Sequence, residues 1–415
     1  MRNGRVLYLT YDGLTDGLGR SQVLPYILGL EEKGWEFDII SFEKPDRFRS
    51  ERAAIVALLK DRRVTWHPLT YTSRPPVLST LYDVWRLRRL ARALHGEKRF
   101  CAVHCRSYIT SLVGERLKKD LGLPFIFDMR AFYADERVDG GLWPQNNPIF
   151  RLIFSYFKKK ERDFLSCSDY TITLTEKARE IIQSWNNLPQ PLSIEVIPCC
   201  ADLGHFDYLK LSDDQRNKAR ISLGIKSEER VLLYLGSLGT WYMSDEMLKF
   251  YSVLIYHYPE FRFVVLTHDD PALFLKKASD IGISRERLVI RPANRAELPS
   301  LLSVADLSVF FIQPRFSKAG SSPTKHGELL GMGIPVVCNS GVGDVDRIVS
   351  NTESGLLVND FSPSTLEEAV KRIPEVLAIP KQRLRQAAFT YYSLDEGVAR
   401  YDRIYKTVCG LSDDT

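Results

Sequence analysis

Residues 321–343 read SSPTKHGELLGMGIPVVCNSGVG and gather two serines, a threonine, one fixed cation and one carboxylate at what reads as the mouth of a helix. With a helix beginning around Thr324 to His326, the amides of Ser321, Ser322, Thr324 and Lys325 point at one site. The helix dipole and the Lys325 ammonium favour a diphosphate there. Glu328 lies one turn further in, where a carboxylate can accept hydrogen bonds from both hydroxyls of a ribose. Together these groups make a cradle for a nucleoside diphosphate. The alternative is an ordinary capped helix with Glu328 on its solvated face.

Two other stretches carry polar groups where chemistry is often done. In FIFDMRAFYADERVDGG (125–141), Asp128, Arg130, Asp135, Glu136 and Arg137 follow a buried strand run, and His104, Arg106 and Ser107 end the run before it. Charges at the carboxyl ends of strands suit a polyhydroxyl or phosphate ligand, or an internal ion-pair network that orders a long loop. His104 reads as a satisfied buried histidine. In YDGLTDGLGRSQVLPYILGL (11–30), Gly13, Gly17 and Gly19 precede a helix expected to begin near Ser21, an arrangement that lets an anion approach the backbone. The GxGxxG fingerprint is absent and no acidic residue is expected at the end of the second strand, which disfavours a dehydrogenase. GDVD (343–346) reads as an N-cap with acidic first-turn residues, so neither a metal nor a cofactor is expected.

The elements that must hold these groups alternate regularly. Apolar runs at 5–10, 37–40, 64–67, 102–104, 125–128, 170–174 and 194–198 are separated by helical patterns; the cycle restarts at 230–236, 261–266, 287–290, 307–312, 334–338 and 355–358. This predicts an α/β protein with two mostly parallel sheets covered by helices, whose ligands bind at strand carboxyl ends. The expected domains are 1–205 and 206–385, with a helical segment at 386–415 that docks through Val398, Tyr401, Ile404 and Tyr405.

A length of 415 residues suits two such cores, and 44% apolar with 26% charged residues is ordinary globular composition. No apolar stretch reaches a membrane span and no signal-peptide core opens the chain, so the expected location is cytoplasmic. Seven scattered cysteines without a CxxC pair read as reduced thiols. The net charge of +5 is uneven: residues 47–99 hold thirteen Lys/Arg against four Asp/Glu. Within them TLYDVWRLRRLARAL places Leu81, Val84, Leu87, Ala91 and Leu94 at helical spacing, with Arg86, Arg88, Arg89 and Arg92 on other faces. That basic amphipathic helix is either a solvated face on a packed helix or a contact for an anionic membrane or phosphorylated acceptor. No nucleic-acid-binding motif accompanies the charge.

PTKHGELLGMGIPVVCNSGVGDV resembles the donor-binding segment of the family 4 retaining glycosyltransferases. VIPCCADLGHF, LPSLLSVADLSVFFIQP, DYTITLTEKARE and YLGSLG resemble further segments of that family, so the resemblance runs over nearly the whole chain. It implies the GT-B architecture, two facing Rossmann-like doubly wound domains with a C-terminal helix docking back. It also implies transfer of a hexosyl unit, with retention, from a UDP-sugar or GDP-sugar to a glycan or lipid-linked acceptor. The implied donor site comprises Gly236, Ser237, Ser321, Ser322, Thr324, Lys325 and Glu328. From their own placement at strand ends and in the glycine loop, Gly17, Gly19, Arg106, Arg130, Asp135 and Glu136 are read as substrate contacts of the amino-terminal domain, and Lys325 and Asp128 as the catalytic groups. Three positions depart from the family. The first of its two glutamates is Gly320, its arginine and lysine after the first strand of the second domain are Ser237 and Tyr242, and its common histidine at the end of an amino-terminal-domain strand gives way to Asp128. Diphosphate neutralisation then leans on Lys325, with Arg315 or an amino-terminal-domain arginine as helper. A sugar-nucleotide epimerase or hydrolase, or a non-catalytic binding module, would use the same cradle.

Overall fold

Each of the thirteen apolar runs becomes a strand in the computed structural model, which describes residues 3–411. β1 (Gly4–Thr10), β2 (Trp35–Glu43), β3 (Val64–Thr70), β4 (Ala102–Arg106), β5 (Phe125–Asp128), β6 (Tyr170–Thr173) and β7 (Ile194–Val196) pair in the order β3-β2-β1-β4-β5-β6-β7. β8 (Arg230–Leu235), β9 (Phe261–Leu266), β10 (Leu288–Arg291), β11 (Leu307–Phe310), β12 (Val336–Asn339) and β13 (Gly355–Val358) pair as β10-β9-β8-β11-β12-β13. Neighbouring strands run parallel, as in β1 with β4 and β8 with β11. A parallel strand covered by helices on both faces needs apolar residues on both, and every residue of β4, β5, β11 and β12 is buried. Strand order reverses between β1 and β4 and again between β8 and β11. Loops at the carboxyl ends of those strands splay apart and leave room for ligands.

The chain forms two compact units. One holds the residues up to Pro198 together with Ala319–Ser321 and the chain from Leu394 onward; the other holds Cys199–Lys318 and Ser322–Ser393. The break expected near 205 therefore falls after Pro198, and the terminal segment parts from the second unit at Leu394 rather than at 386. The helix Leu394–Val408 buries Val398, Tyr401, Ile404 and Tyr405 within the first unit. Tyr401 meets Tyr26 edge-on at 5.3 Å, and Trp35 donates its indole N–H to Asp402 at 2.7 Å. Each fully buried large side chain of this set contributes about 1.5–3 kcal/mol relative to exposure. The sulfurs of Cys101 and Cys409 come within 2.7 Å of each other, a pairing hidden in the sequence by a separation of 308 residues.

Three local expectations are corrected. β2 is longer than its apolar centre and ends in Glu43, so an acidic residue does stand at the end of the second strand. Its carboxylate accepts from the amides of Leu14 and Thr15 at 2.8 and 3.1 Å, which ties it to the loop after β1. The helix expected near Ser21 begins at Gly17 and is followed by a second, Leu24–Glu32. Gly17 and Gly19 thus lie inside a helix; a Cβ on Gly19 would sit 2.1 Å from the Gly13 carbonyl oxygen, so this glycine serves close packing of helix on loop. In the helix Leu78–Lys98, Leu87, Ala91 and Leu94 are buried as expected, but Leu81 is 58% exposed. No helix among the described residues is long and apolar enough to cross a membrane.

Candidate functional site

The cradle forms in the second unit, at the carboxyl ends of β8 and β11 where the strand order reverses. Thr324–Gly331 is helical, and its amino end carries no side-chain cap. The His326 amide donates to the Pro323 carbonyl at 3.0 Å, and no side chain caps the other donors of the first turn, which can meet an anion. Lys325, on the first turn, sets its ammonium 3.3 Å from the Tyr242 hydroxyl and 4.6 Å from that ring's centre. The loop after β8 makes room for it. Gly236 has φ +149°, and a Cβ there would fall 2.0 Å from Lys325 Nζ and 3.0 Å from the Tyr234 hydroxyl. Only glycine tolerates both the dihedral and the approach. The Tyr234 hydroxyl donates to the Ser237 carbonyl, and Leu238 N–H to Asp269 at 2.7 Å, which fixes the turn and leaves Ser237 exposed.

Glu328 is buried one turn into the helix. Its nearest cation is Arg295, 3.9 Å away, and no hydrogen-bond partner reaches its carboxylate among the described residues. Burial raises its pKa to about 7, against the pull of Arg295 and Lys325. Between Lys325 and Glu328 in sequence, His326 is fully buried; its Nδ1 lies 2.9 Å from the Tyr392 hydroxyl and its Nε2 has no hydrogen-bond partner among the described residues. Burial lowers its pKa to about 3 and keeps it neutral. Ser322 accepts from the Cys199 amide at 3.2 Å, while Ser321 and Thr324 flank the open amino end. Asp344 holds the N-cap position of Val345–Thr352 without a side-chain cap bond; the Gly341 amide donates to Asp346 at 3.0 Å. Among the described residues no group of three or more His, Cys, Asp or Glu is arranged to hold a metal.

Gly320 belongs to the first unit, where a Cβ would lie 3.2 Å from the Ala131 Cα and 3.4 Å from the Phe132 ring. The position has little room for a glutamate in that direction. Lys318, which the sequence reading passed over, is buried with its ammonium 3.7 Å from the centre of the Trp241 ring. Trp241 and Tyr242 are consecutive residues of the loop after β8, and each carries a lysine over its face. Arg315 is exposed. The sequence does hold a signal for Lys318. Ser237 and Tyr242 stand where the family has cations, and Lys318 lies two residues before Gly320. Arg295 has no such signal, being separated from Glu328 by the helix Leu298–Leu302, β11 and the turn Phe316–Gly320.

In the first unit, Arg106 pairs in register with Asp128 across β4 and β5. Asp128 is fully buried. Its Oδ2 lies 3.4 Å from His104 Nε2, 3.5 Å from the Tyr401 hydroxyl, 3.6 Å from Arg130 and 3.8 Å from Arg106, while Oδ1 has no hydrogen-bond partner among the described residues. Burial opposes its charge, but Arg130, His104 and Arg106 outweigh that and hold its pKa below the usual carboxylate range. Arg106 also reaches Asp12 at 3.1 Å. Ser107 and Arg130, just beyond the two strand ends, have φ of 69° and 64°, so the backbone is strained where the two arginines are aimed. His104 is satisfied and buried, its Nδ1 2.8 Å from the Tyr405 hydroxyl. Asp135 pairs with Lys158 at 2.8 Å, and Lys158 also meets Glu161. Glu136 lies on the first turn of Tyr133–Asp139 beside it. This stretch is thus in large part an ion-pair network, with Asp128 at its enclosed end.

Residues 23–205 match the family described as Glycosyltransferase Family 4, and residues 215–389 match Glycosyl transferases group 1. A D-inositol 3-phosphate glycosyltransferase of Nocardioides is 23% identical over 304 residues, 69% of this chain and 62% of that protein. The chain thus aligns with less than two thirds of that relative's length. Among solved structures, sucrose-phosphate synthase of Thermosynechococcus elongatus superposes with a TM-score of 0.73 at 16% identity, covering 99% of this chain and 100% of the other. Anabaena HepE, solved in complex with UDP and glucose, gives 0.69 at 14% identity, covering 97% and 100%.

Proposed function

Because the chain belongs to the group 1 glycosyltransferases, with a family 4 amino-terminal domain and two Rossmann-like domains of the GT-B kind, we propose that it moves a hexosyl unit from a nucleoside diphosphate sugar to a glycan or lipid-linked acceptor with retention of configuration. The observation that carries this reading is the pairing of Lys325 at an uncapped helix end with a buried carboxylate, Glu328, that no hydrogen-bond donor reaches among the described residues. The amides and Lys325 take the diphosphate and Glu328 takes the ribose hydroxyls. The structural similarity to Anabaena HepE, solved with UDP, favours UDP over GDP. Lys325 stabilises the charge that develops on the leaving diphosphate, with Lys318 as second cation in place of Arg315. The departing phosphate oxygen takes the acceptor proton, so no protein nucleophile is needed. Asp128 acts as a positioning residue that orients Arg106 and Arg130 toward the acceptor, with Gly17, Gly19, Asp135 and Glu136 shaping the loops around them. Relatives named for inositol phosphate and sucrose phosphate support an acceptor rich in hydroxyls. The basic stretch 47–99 supports a cytoplasmic protein working peripherally at the inner face of the membrane.

A thermal-shift panel of UDP, GDP, ADP and dTDP with their glucose derivatives tests the donor, since a ligand that binds only the folded state raises its melting temperature. No shift with any of them removes the cradle. NMR of the product's anomeric proton tests retention. Transfer should persist in EDTA, because the cradle brings its own cations. Loss on chelation with recovery in magnesium or manganese would show that a metal carries the diphosphate charge instead.

Glu328→Gln should weaken UDP binding by about 1–3 kcal/mol. The sign of the pH effect follows from the raised pKa. Stability contributed by Glu328 is fully present below its ordinary value of 4.5 and is lost as pH rises through about 7, where the buried carboxylate ionises with only Arg295, 3.9 Å away, in ion-pair range. Hydroxyl donors from a ribose favour the ionised form. UDP affinity should therefore rise through about pH 7 with release of a proton, read as a buffer-dependent enthalpy in calorimetry; the glutamine variant should lose that dependence. The same pH profile in both proteins would take Glu328 out of the site.

A further inference from the structure

The helix Leu78–Lys98 has two apolar faces. Leu87, Ala91 and Leu94 are buried on one; Leu78, Leu81, Tyr82 and Trp85, at spacings of three, four and seven, are 51–62% exposed on the opposite side. Tyr82 and Trp85 stack at 6.0 Å, with Arg86 over the first ring and Arg89 over the second. The same outer face continues through Arg89 and Arg92, so along the helix it passes from apolar to basic. Among its arginines, Arg86 pairs with Asp83, and Arg88 and Arg92 share Asp120; Arg89 meets no carboxylate among the described residues.

A second helix repeats the pattern. Ile149, Leu152 and Tyr156 of Pro148–Cys167 are 46–72% exposed at spacings of three and seven, with Lys159 exposed next to them and Arg151 exposed further round the helix. Both helices pack on Ser107–Leu121. Each leads from the carboxyl edge of an all-parallel sheet back toward its start, so their first turns lie at the same edge.

We propose that these two outer faces seat the first unit on an anionic lipid bilayer, with the apolar turns entering the interface and the arginines lying among the headgroups. Tyrosine and tryptophan side chains suit that boundary, having an apolar body and a polar tip. A helix with an outward apolar face and a basic continuation lies in the interfacial plane. A second copy of the chain fits poorly where the two helices would pair side by side in parallel, because that contact brings Arg89 and Arg92 against their own copies, with Asp120 already shared. This deepens the peripheral membrane contact proposed above and changes its agents. The exposed apolar side chains anchor, while Arg88 and Arg92 are mostly committed to Asp120.

The test is co-sedimentation with vesicles of phosphatidylcholine alone and of phosphatidylcholine with phosphatidylglycerol at two to one. The protein should bind the second and not the first, with binding falling as salt is raised. The double variant Leu81→Ser with Trp85→Ser should lower partitioning at least tenfold, as should Ile149→Ser with Leu152→Ser. UDP affinity by calorimetry should stay unchanged in both, since none of the four residues touches the cradle. Equal partitioning of wild type and variants, or no binding to either vesicle, overturns the proposal. So does a dimer in sedimentation velocity that the Leu81 and Trp85 changes abolish, because a second copy would then cover the face. Vesicle binding without UDP binding would instead break the transferase reading and leave this one standing.

Discussion

Asp128→Asn is expected to destabilise the protein by about 3–5 kcal/mol in urea unfolding near neutral pH, the cost of removing one partner from a buried ion cluster. The variant keeps the shape of the side chain and can still bond His104 and the Tyr401 hydroxyl. What it loses is the charge that Arg130 and Arg106 face at 3.6 and 3.8 Å. Arg106 would retain Asp12, but Asp12 is 42% exposed and screened, so it compensates little. The sign of the pH dependence is the reverse of that for Glu328. A carboxylate whose folded pKa is depressed contributes stability above its ordinary range and loses it as pH falls through the folded value, so the two proteins should converge in acid. A variant as stable as wild type near neutrality would mean the arginines do not depend on Asp128. Asp128 would then have no claim as the residue that aims them.

Lys325→Ala is expected to lower the turnover of transfer by about a hundred- to a thousandfold, the usual loss when a preorganised donor to developing negative charge is removed. The equilibrium affinity for UDP should fall by less, because the open helix amides remain. Lys325→Arg should recover only part of the rate, since a planar guanidinium stacked on the Tyr242 ring spreads its charge and directs its donors differently from a compact ammonium. Gly236→Ala supplies an independent check: its Cβ would stand 2.0 Å from Nζ and push the ammonium aside without removing the charge. Both variants should lose turnover more than binding. A Lys325→Ala protein with intact turnover and weakened affinity would make Lys325 a ground-state contact.

The alternation of apolar runs carried the strands, because a buried parallel strand has little choice but to be apolar throughout. It could not carry the ends of strands. Glu43 closes β2 although its apolar centre stops earlier, since the carboxylate is satisfied by amides of a loop 28 and 29 residues earlier. The donor segment was legible for a local reason. Lys325 and Glu328 lie within one turn of each other, so helical geometry alone sets their relation. Lys318 over Trp241, Arg295 near Glu328 and Tyr401 beside Asp128 each join residues distant in sequence, and no periodicity announces them.

The sequence by itself determined the α/β class, the two parallel sheets, the helix mouth with its lysine and carboxylate, and the basic bias of residues 47–99. All of these follow from patterns repeating over a few residues or from composition. Only the tertiary structure decided that Asp128 is enclosed rather than open, that Gly320 lies against Ala131 and Phe132, and that Leu81 and Trp85 face outward while Leu87 and Ala91 face in. The physical reason is the same in each case. Burial depends on what other elements cover a side chain, and covering elements arrive from anywhere in the chain, whereas local pattern reports only which side chains could accept being covered.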